Sequence, residues 1–323
     1  MATPAAVSEL EPPTIVDVFE ARRRIAPYLP RTPLFRYPAL DALVGTEVWV
    51  KHENHQPVGA FKVRGGVNLV AQLTDEGRRR GLIAASTGNH GQSLAYAGRL
   101  FGVPVTICVP ENANPVKVES MQALGAEVVF HGRDYDDARE HAEALAATQG
   151  RYVHSGDEPP LIAGVGTLTL EILEDQPDVD AIVVPIGGGS GAAGACVVVK
   201  GMSHPAKVIG VQSEAAPAAH DSWQARTLVE AANTTFAEGL ATRTAFELPQ
   251  RILWDHLDDF MLVTEDEIRE ATRQMIEKTR NLVEPAGAAP LAAALKLGLA
   301  GRKVVLVCSG GNISPSQLRD LLS

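Results

Sequence analysis

The sequence of 323 residues is 45% hydrophobic and 21% charged, which fits an ordinary globular protein with apolar surface enough for one large domain or two smaller ones. Its formal net charge of -10 argues against a nucleic-acid-binding surface, and the short basic run Arg78-Arg79-Arg80 reads as a solvated helix end. A membrane span is excluded as well, because the most apolar stretch, residues 181–199, is interrupted by Pro185 and the glycines after it.

The chain opens on Met1 to Pro13, rich in proline, alanine and glutamate and without the basic-then-apolar order of a signal peptide; a loose arm and a cytoplasmic location are expected. Strands of apolar and β-branched residues are then predicted over 47–51, 82–85, 105–109, 127–130, 181–185, 207–211 and 303–308. Helical patterns run over 92–101, 115–124, 135–147, 192–200 and 265–280. This alternation predicts parallel sheets covered by helices on both faces, and continuously apolar strands suit sheets buried on both sides. Cys108, Cys196 and Cys308 lie in or beside apolar runs without paired spacing and read as buried free thiols. His52 and His55 are three apart with no third ligand, so no metal site is expected from them.

Several short segments carry the chemistry. In Gly59-Ala60-Phe61-Lys62-Val63-Arg64-Gly65-Gly66, Lys62 lies among Val58, Phe61 and Val63, apolar surroundings that favour the neutral amine a covalent lysine needs. By itself it could equally begin a surface helix. Ser86-Thr87-Gly88-Asn89-His90-Gly91-Gln92 follows a strand and opens a helix, where free N–H groups and the helix dipole suit a carboxylate or simply a capped start. Gly187-Gly188-Gly189-Ser190-Gly191 also joins strand to helix, and its glycines let successive N–H groups converge on a phosphate. The run Gly189-Ser190-Gly191-Ala192-Ala193-Gly194 fits GxGxxG too, but a dinucleotide site leaves the other segments unexplained. Ser309-Gly310-Gly311-Asn312 ends the last strand in a tight turn, where serine could be a helix N-cap.

Taken together, these segments resemble the pyridoxal-phosphate enzymes of the tryptophan-synthase-β type, in the serine/threonine dehydratase and serine racemase branch, from about Arg31 to the C-terminus. The resemblance implies an α/β protein of fold type II, with two three-layer α/β domains and mainly parallel sheets. It places residues 1–80 and 156–323 in a large cofactor-binding domain and residues 81–155 in a small mobile substrate-side domain. The implied cofactor is pyridoxal 5'-phosphate, bound covalently by Lys62, with Phe61 packed against its ring. Residues 187–191, namely Gly187, Gly188, Gly189, Ser190 and Gly191, would cradle its phosphate. Asn89 would reach the ring hydroxyl, Ser309 would face the pyridine nitrogen, and Glu284 of Glu284-Pro285-Ala286-Gly287 would approach the ring region. The loop Ser86, Thr87, Gly88, Asn89, His90 would take the substrate carboxylate. Ala60 stands where the family more often has serine, which leaves the lysine assignment intact.

Other positions bear on the reaction. Thr87 occupies the place of the serine that is a second base in serine racemase, and Arg139 resembles an arginine that reaches the substrate side chain there, although an arginine on so charged a helix is by default a solvated ion pair. Gln212 and Ala218 replace two carboxylates of the racemase cation site, so no such metal site is expected. The resemblance implies removal of water and then ammonia from a β-hydroxy amino acid, L-threonine or L-serine, by a homodimer. Its neutral serine opposite the ring nitrogen suits elimination. Only eleven residues follow Asn312, so no regulatory domain is expected. Serine racemase, a lyase for 3-hydroxyaspartate or another modified hydroxy amino acid, and a non-catalytic amino-acid-binding protein are the alternatives.

Overall fold

The computed structural model describes residues 10–322; most of the expected N-terminal arm lies outside the described residues. The strands are β1 Leu34–Arg36, β2 Glu47–His52, β3 Leu82–Ala85, β4 Val105–Val109, β5 Glu127–Phe130, β6 Arg151–Tyr152, β7 Ala181–Pro185, β8 Lys207–Ser213, β9 Asp259–Val263 and β10 Lys303–Cys308. They form a six-stranded sheet in the order β1-β2-β10-β7-β8-β9 and a four-stranded sheet in the order β5-β4-β3-β6. Every pairing is parallel except that of β1 with β2. The α/β class with two mainly parallel sheets is therefore as expected.

All seven predicted strands are present, β8 extending to Ser213 and β2 to His52. The three additional strands are edges: β1 has three residues, β6 has two, and β9 closes the far side of the large sheet. Edge strands need no unbroken apolar run, so they leave little trace in the sequence.

Helices cover both faces of each sheet. One face of the large sheet packs Ile182, Val184, Val305 and Val307 against Ile162, Leu168, Ala192 and Val198 of the helices Pro159–Asp175 and Ser190–Gly201. The other buries Val183, Ile209, Val304 and Leu306 under Ile268, Met275, Ala289 and Ala293 of Glu265–Thr279 and Pro285–Lys296. In the small sheet Ala138, Ala142 and Ala146, four residues apart on Tyr135–Gln149, form the narrow stripe that meets Ile83, Ala85 and Cys108. Its opposite face is covered by Lys62–Ala71 and Asn89–Phe101.

Two predicted helices begin earlier than the apolar pattern suggests, at Asn89 rather than 92 and at Ser190 rather than 192. In both the cap is glycine, Gly88 and Gly189, with Gly189 in the left-handed region at φ 86°. The start of Glu265–Thr279 is fixed by a capping box between Thr264 and Glu267, and its end by Arg280 at φ 57°. No helix among the described residues is long and apolar enough to cross a membrane.

Candidate active site

In parallel sheets, groups at the carboxyl ends of neighbouring strands converge. Here β2, β10 and β7 are consecutive neighbours. They lead into the Lys62 segment, into Ser309 and into the glycine loop respectively, while β3 of the small sheet leads into residues 86–92.

The Lys62 segment is spliced to the C-terminal motif. Phe61 N–H donates to the Ser309 carbonyl at 3.0 Å, Gly311 N–H to the Gly59 carbonyl at 2.9 Å, and Asn312 Nδ2 to the Val58 carbonyl at 2.8 Å. Gly59 adopts φ 66°, and a Cβ there would lie 2.7 Å from Asn312 Oδ1, so both backbone and space require glycine. The helix Lys62–Ala71 begins at the lysine itself. Its Nζ donates to the Ser155 carbonyl at 2.7 Å and to Ser190 Oγ at 2.8 Å. Loss of hydration pushes the amine down to about 8, so an appreciable fraction is neutral and nucleophilic near neutrality.

The glycine loop is shaped to leave its backbone bare. Among the described residues, no acceptor is found for the N–H groups of residues 187–192; the neighbouring Ile186 and Ala193 are bonded to Val211 and Gly189. A Cβ on Gly187 would lie 2.3 Å from the Gly239 carbonyl, and one on Gly188 would lie 2.0 Å from the Phe246 ring. A row of orphan donors at a helix start, with side chains sterically barred, fits a phosphate and its charge. Ser190, 2% exposed, is the loop's one side chain with a polar atom, and it is turned to Lys62.

The 86–92 turn is organised differently. Ser86 Oγ accepts from Gly88 N–H at 3.2 Å and Gly91 N–H at 2.9 Å, leaving the N–H groups of Thr87, Asn89 and His90 without protein acceptors among the described residues. Asn89 Nδ2 donates to Glu284 Oε1 at 2.9 Å, and its Oδ1 accepts from Asn312 Nδ2 at 2.7 Å. Glu284 is buried, and burial raises its carboxyl above the usual range against the opposing pull of Lys117 and Asn89. His90 is buried, its Nε2 3.3 Å from the Val153 carbonyl. Loss of hydration first, and the nearby Lys62 second, hold its ring down at about 3 and so neutral.

The structure thus brings together Lys62, Ser190, the glycine loop, Phe61 and Ser309, the last two lining one small cavity with Gly191. Asn89 and Glu284 join through the 309–312 motif. Thr87 is half-buried and its hydroxyl has no protein partner among the described residues. Arg139 is half-buried: its guanidinium is 3.0 Å from Glu143 and 3.8 Å from Asp136, both on its own helix, and its charge acts on His154 together with that of Lys62. Gln212 Oε1 accepts from His220 N–H at 3.0 Å. His52 and His55 stack on each other with ring centroids 5.1 Å apart, and His52 bonds to Tyr37.

Some contributors were not singled out in the sequence. Ser155 acts through its carbonyl, which leaves no residue-type signal. Phe246 packs over Gly188 and Gly156. Lys117 and Glu238 form an ion pair beside Glu284. Asn312 belongs to a recognised motif, yet its role depends on Asn89, 223 positions away.

Comparison with known proteins gives the family. Residues 25–310 match the family described as pyridoxal-phosphate dependent enzyme. The L-threonine ammonia-lyase of Thermotoga maritima is 38% identical over 313 residues, covering 96% of this chain and 78% of that protein. The L-threo-3-hydroxyaspartate ammonia-lyase of Saccharomyces cerevisiae is 35% identical over 316 residues, covering 96% and 97%. The crystal structure of serine racemase from Dictyostelium discoideum superposes with a TM-score of 0.88 at 33% identity, covering 94% and 99%. The chain belongs to the family of pyridoxal-phosphate-dependent enzymes.

Proposed function

We propose that this enzyme is an ammonia-lyase that removes water and then ammonia from a β-hydroxy amino acid, with L-threonine first among its substrates and L-serine second. The observation that carries the reading is the Lys62 amine, lowered to about 8 and held by Ser155 and Ser190 at the mouth of a glycine loop with free N–H groups. Similarity to a threonine ammonia-lyase over nearly the whole chain supports the substrate.

Pyridoxal phosphate, when bound, supplies the electron sink that lets bonds at the substrate α- and β-carbons break. This chain's residues do the rest. Lys62 Nζ, placed by Ser155 and Ser190, would hold the cofactor and, once released from it, take the α-proton. The N–H groups of residues 187–192 would hold its phosphate, and Phe61 would line its ring. Ser309 would offer a neutral hydroxyl to its ring nitrogen, and Asn89, oriented by Glu284 and Asn312, would serve its ring hydroxyl. The free N–H groups of Thr87, Asn89 and His90 receive the substrate carboxylate. In the net reaction the α C–H and β C–O bonds break, water departs, and the released enamine takes water back to give a 2-oxo acid and ammonium.

Residues 81–155 form the smaller, substrate-side domain in this reading, the enzyme works as a homodimer, and its location is cytoplasmic. Replacing Lys62 by alanine tests the core of the proposal: oxo-acid release from threonine should vanish while the protein keeps its far-ultraviolet circular dichroism. Retained turnover in that variant would sink the assignment. A panel of threonine, serine and 3-hydroxyaspartate assayed for oxo-acid release and for racemised amino acid decides the substrate.

A further inference from the structure

We propose that Arg64 is a positioning residue for Lys62: a buried ionic lattice around its guanidinium fixes the first turn of the helix and so the direction of the lysine amine. The inference rests on Lys62 being the residue that holds the cofactor.

Arg64 is 1% exposed, and Lys51 and Glu53 are both 0% exposed. Its Nε and Nη2 donate to the two carboxylate oxygens of Glu53 at 2.7 and 2.8 Å. Its Nη1 and Nη2 donate to the two oxygens of Glu171 at 2.8 and 2.9 Å. Thr167 Oγ1 and Thr32 Oγ1 accept further contacts at 3.1 and 3.3 Å. Lys51 Nζ completes the set, donating to Glu171 Oε2 at 2.6 Å and the Thr32 carbonyl at 2.8 Å. Two cations thus meet two carboxylates, drawn from β2, the turn after it, the Lys62 helix and the helix Pro159–Asp175.

Burying four charges is a poor way to gain stability, because apolar side chains of similar volume would fill the same space at less desolvation cost. What a guanidinium gives instead is direction: a planar fork gripping two carboxylates fixes both the height and the rotation of the turn that bears it. The backbone leaves no slack around this anchor. A Cβ on Gly164 would lie 2.6 Å from the Arg64 carbonyl, one on Gly65 2.9 Å from the Leu161 carbonyl, and one on Gly66 2.3 Å from Ser93 Oγ. Ser93 Oγ in turn donates to the Lys62 carbonyl at 2.7 Å. Lys62 sits two residues before Arg64 on the same turn, so any rotation there carries its amine away from Ser155 and Ser190.

Arg64→Lys keeps the charge and removes the fork. Holoenzyme of this variant and of wild type is compared for melting temperature, kcat, KM, affinity of the apoprotein for pyridoxal phosphate, and visible circular dichroism per bound cofactor. Borohydride reduction followed by peptide mapping identifies the modified lysine. Label at Lys62 in both proteins is expected, with kcat lowered about tenfold or more, KM for threonine within about twofold, and the visible dichroism at least halved, as a misaligned reacting group predicts. A lowered melting temperature with unchanged kcat and unchanged dichroism would make Arg64 purely structural and overturn the proposal. Label on another lysine in wild type would overturn the reading of Lys62 and this inference with it, and the map tells the two failures apart. Should Arg64→Lys fail to fold, Glu53→Gln preserves shape while weakening one arm of the lattice; the same losses in smaller measure are expected, and unchanged kcat and dichroism there overturn the proposal equally.

Discussion

Each sheet delivers one strand-to-helix turn to the site, and the two turns follow opposite plans. The 187–191 turn of the large sheet leaves its N–H groups without acceptors among the described residues and excludes side chains at Gly187 and Gly188 by direct contact with Gly239 and Phe246. The 86–92 turn of the small sheet returns two N–H groups to Ser86 Oγ and presents Thr87 and Asn89 instead. In the proposed reading a backbone-only cradle would hold what never changes from turnover to turnover, the phosphate of the cofactor. A turn that carries side chains can orient a ring and act on a substrate. Glycine therefore has different meanings in the two places, and a pair of substitutions separates them. At Gly188 an added Cβ must displace the Phe246 ring, so Gly188→Ala should weaken pyridoxal-phosphate binding by about tenfold to a hundredfold, the range expected of overpacking. At Gly88 an added Cβ meets nothing within 4 Å, and Gly88→Ala should change affinity by no more than about twofold. Titration of both apoproteins with the cofactor, followed by absorbance, makes the measurement; equal losses would erase the distinction between the turns.

The next effect in size concerns the side-chain turn. Asn89 is held by a donor bond to Glu284 and an acceptor bond from Asn312, so Asn89→Ala leaves the buried Glu284 carboxyl one donor short and the half-buried Asn312 amide with only the Val58 carbonyl. A lost hydrogen bond to a group of this kind is worth about 1.5–3 kcal/mol. Both the melting temperature and kcat/KM for threonine, the proposed substrate, should fall, the latter by roughly tenfold or more, whereas the affinity for phosphate-bearing cofactor should suffer less than in Gly188→Ala. If cofactor affinity collapses in Asn89→Ala while Gly188→Ala binds normally, the two plans have been assigned to the wrong turns.

How much of this could be read beforehand depended on the kind of interaction. The buried strands were legible because strands covered on both faces must be apolar throughout, as in Ala181–Pro185 and Lys303–Cys308. The edges β1, β6 and β9 escaped since pairing on one side imposes no such pattern. Lys62, the glycine loop and the Ser309 turn were legible as residue types whose chemistry is local. The acceptors of the Lys62 amine were not: Ser155 contributes a carbonyl that any residue could supply. Glu53 and Glu171 look in sequence like ordinary surface carboxylates, and only the fold places them 0% and 5% exposed around Arg64. Arg139 illustrates the converse. Its resemblance implied the substrate, its charged helix implied a local ion pair, and in the structure the guanidinium lies beside Asp136 and Glu143, one turn to either side.

The smallest expected effects lie at the two positions that distinguish elimination from racemisation and threonine from a dicarboxylic substrate. Thr87 carries a hydroxyl without a protein partner among the described residues, beside a turn whose N–H groups would take the substrate carboxylate in the proposed reading. Removing the α-proton requires only the Lys62 amine on its own face, whereas returning a proton to the opposite face requires a second group. Thr87→Ala should therefore leave oxo-acid release from threonine within about threefold, a surface-like change, and abolish whatever racemised amino acid the wild type forms. Arg139 is 34% exposed in its side chain and shares its charge with two carboxylates. Exposed pairs of this sort contribute about 0–1 kcal/mol, so Arg139→Ala should lower turnover of threonine and of 3-hydroxyaspartate alike by no more than a few-fold. Steady-state kinetics on both substrates decides. A loss of tenfold or more confined to 3-hydroxyaspartate, about 1.4 kcal/mol, would mean that Arg139 leaves its helix partners to meet a second substrate carboxylate, and would move the small-sheet side of the cleft from orienting the substrate to selecting it.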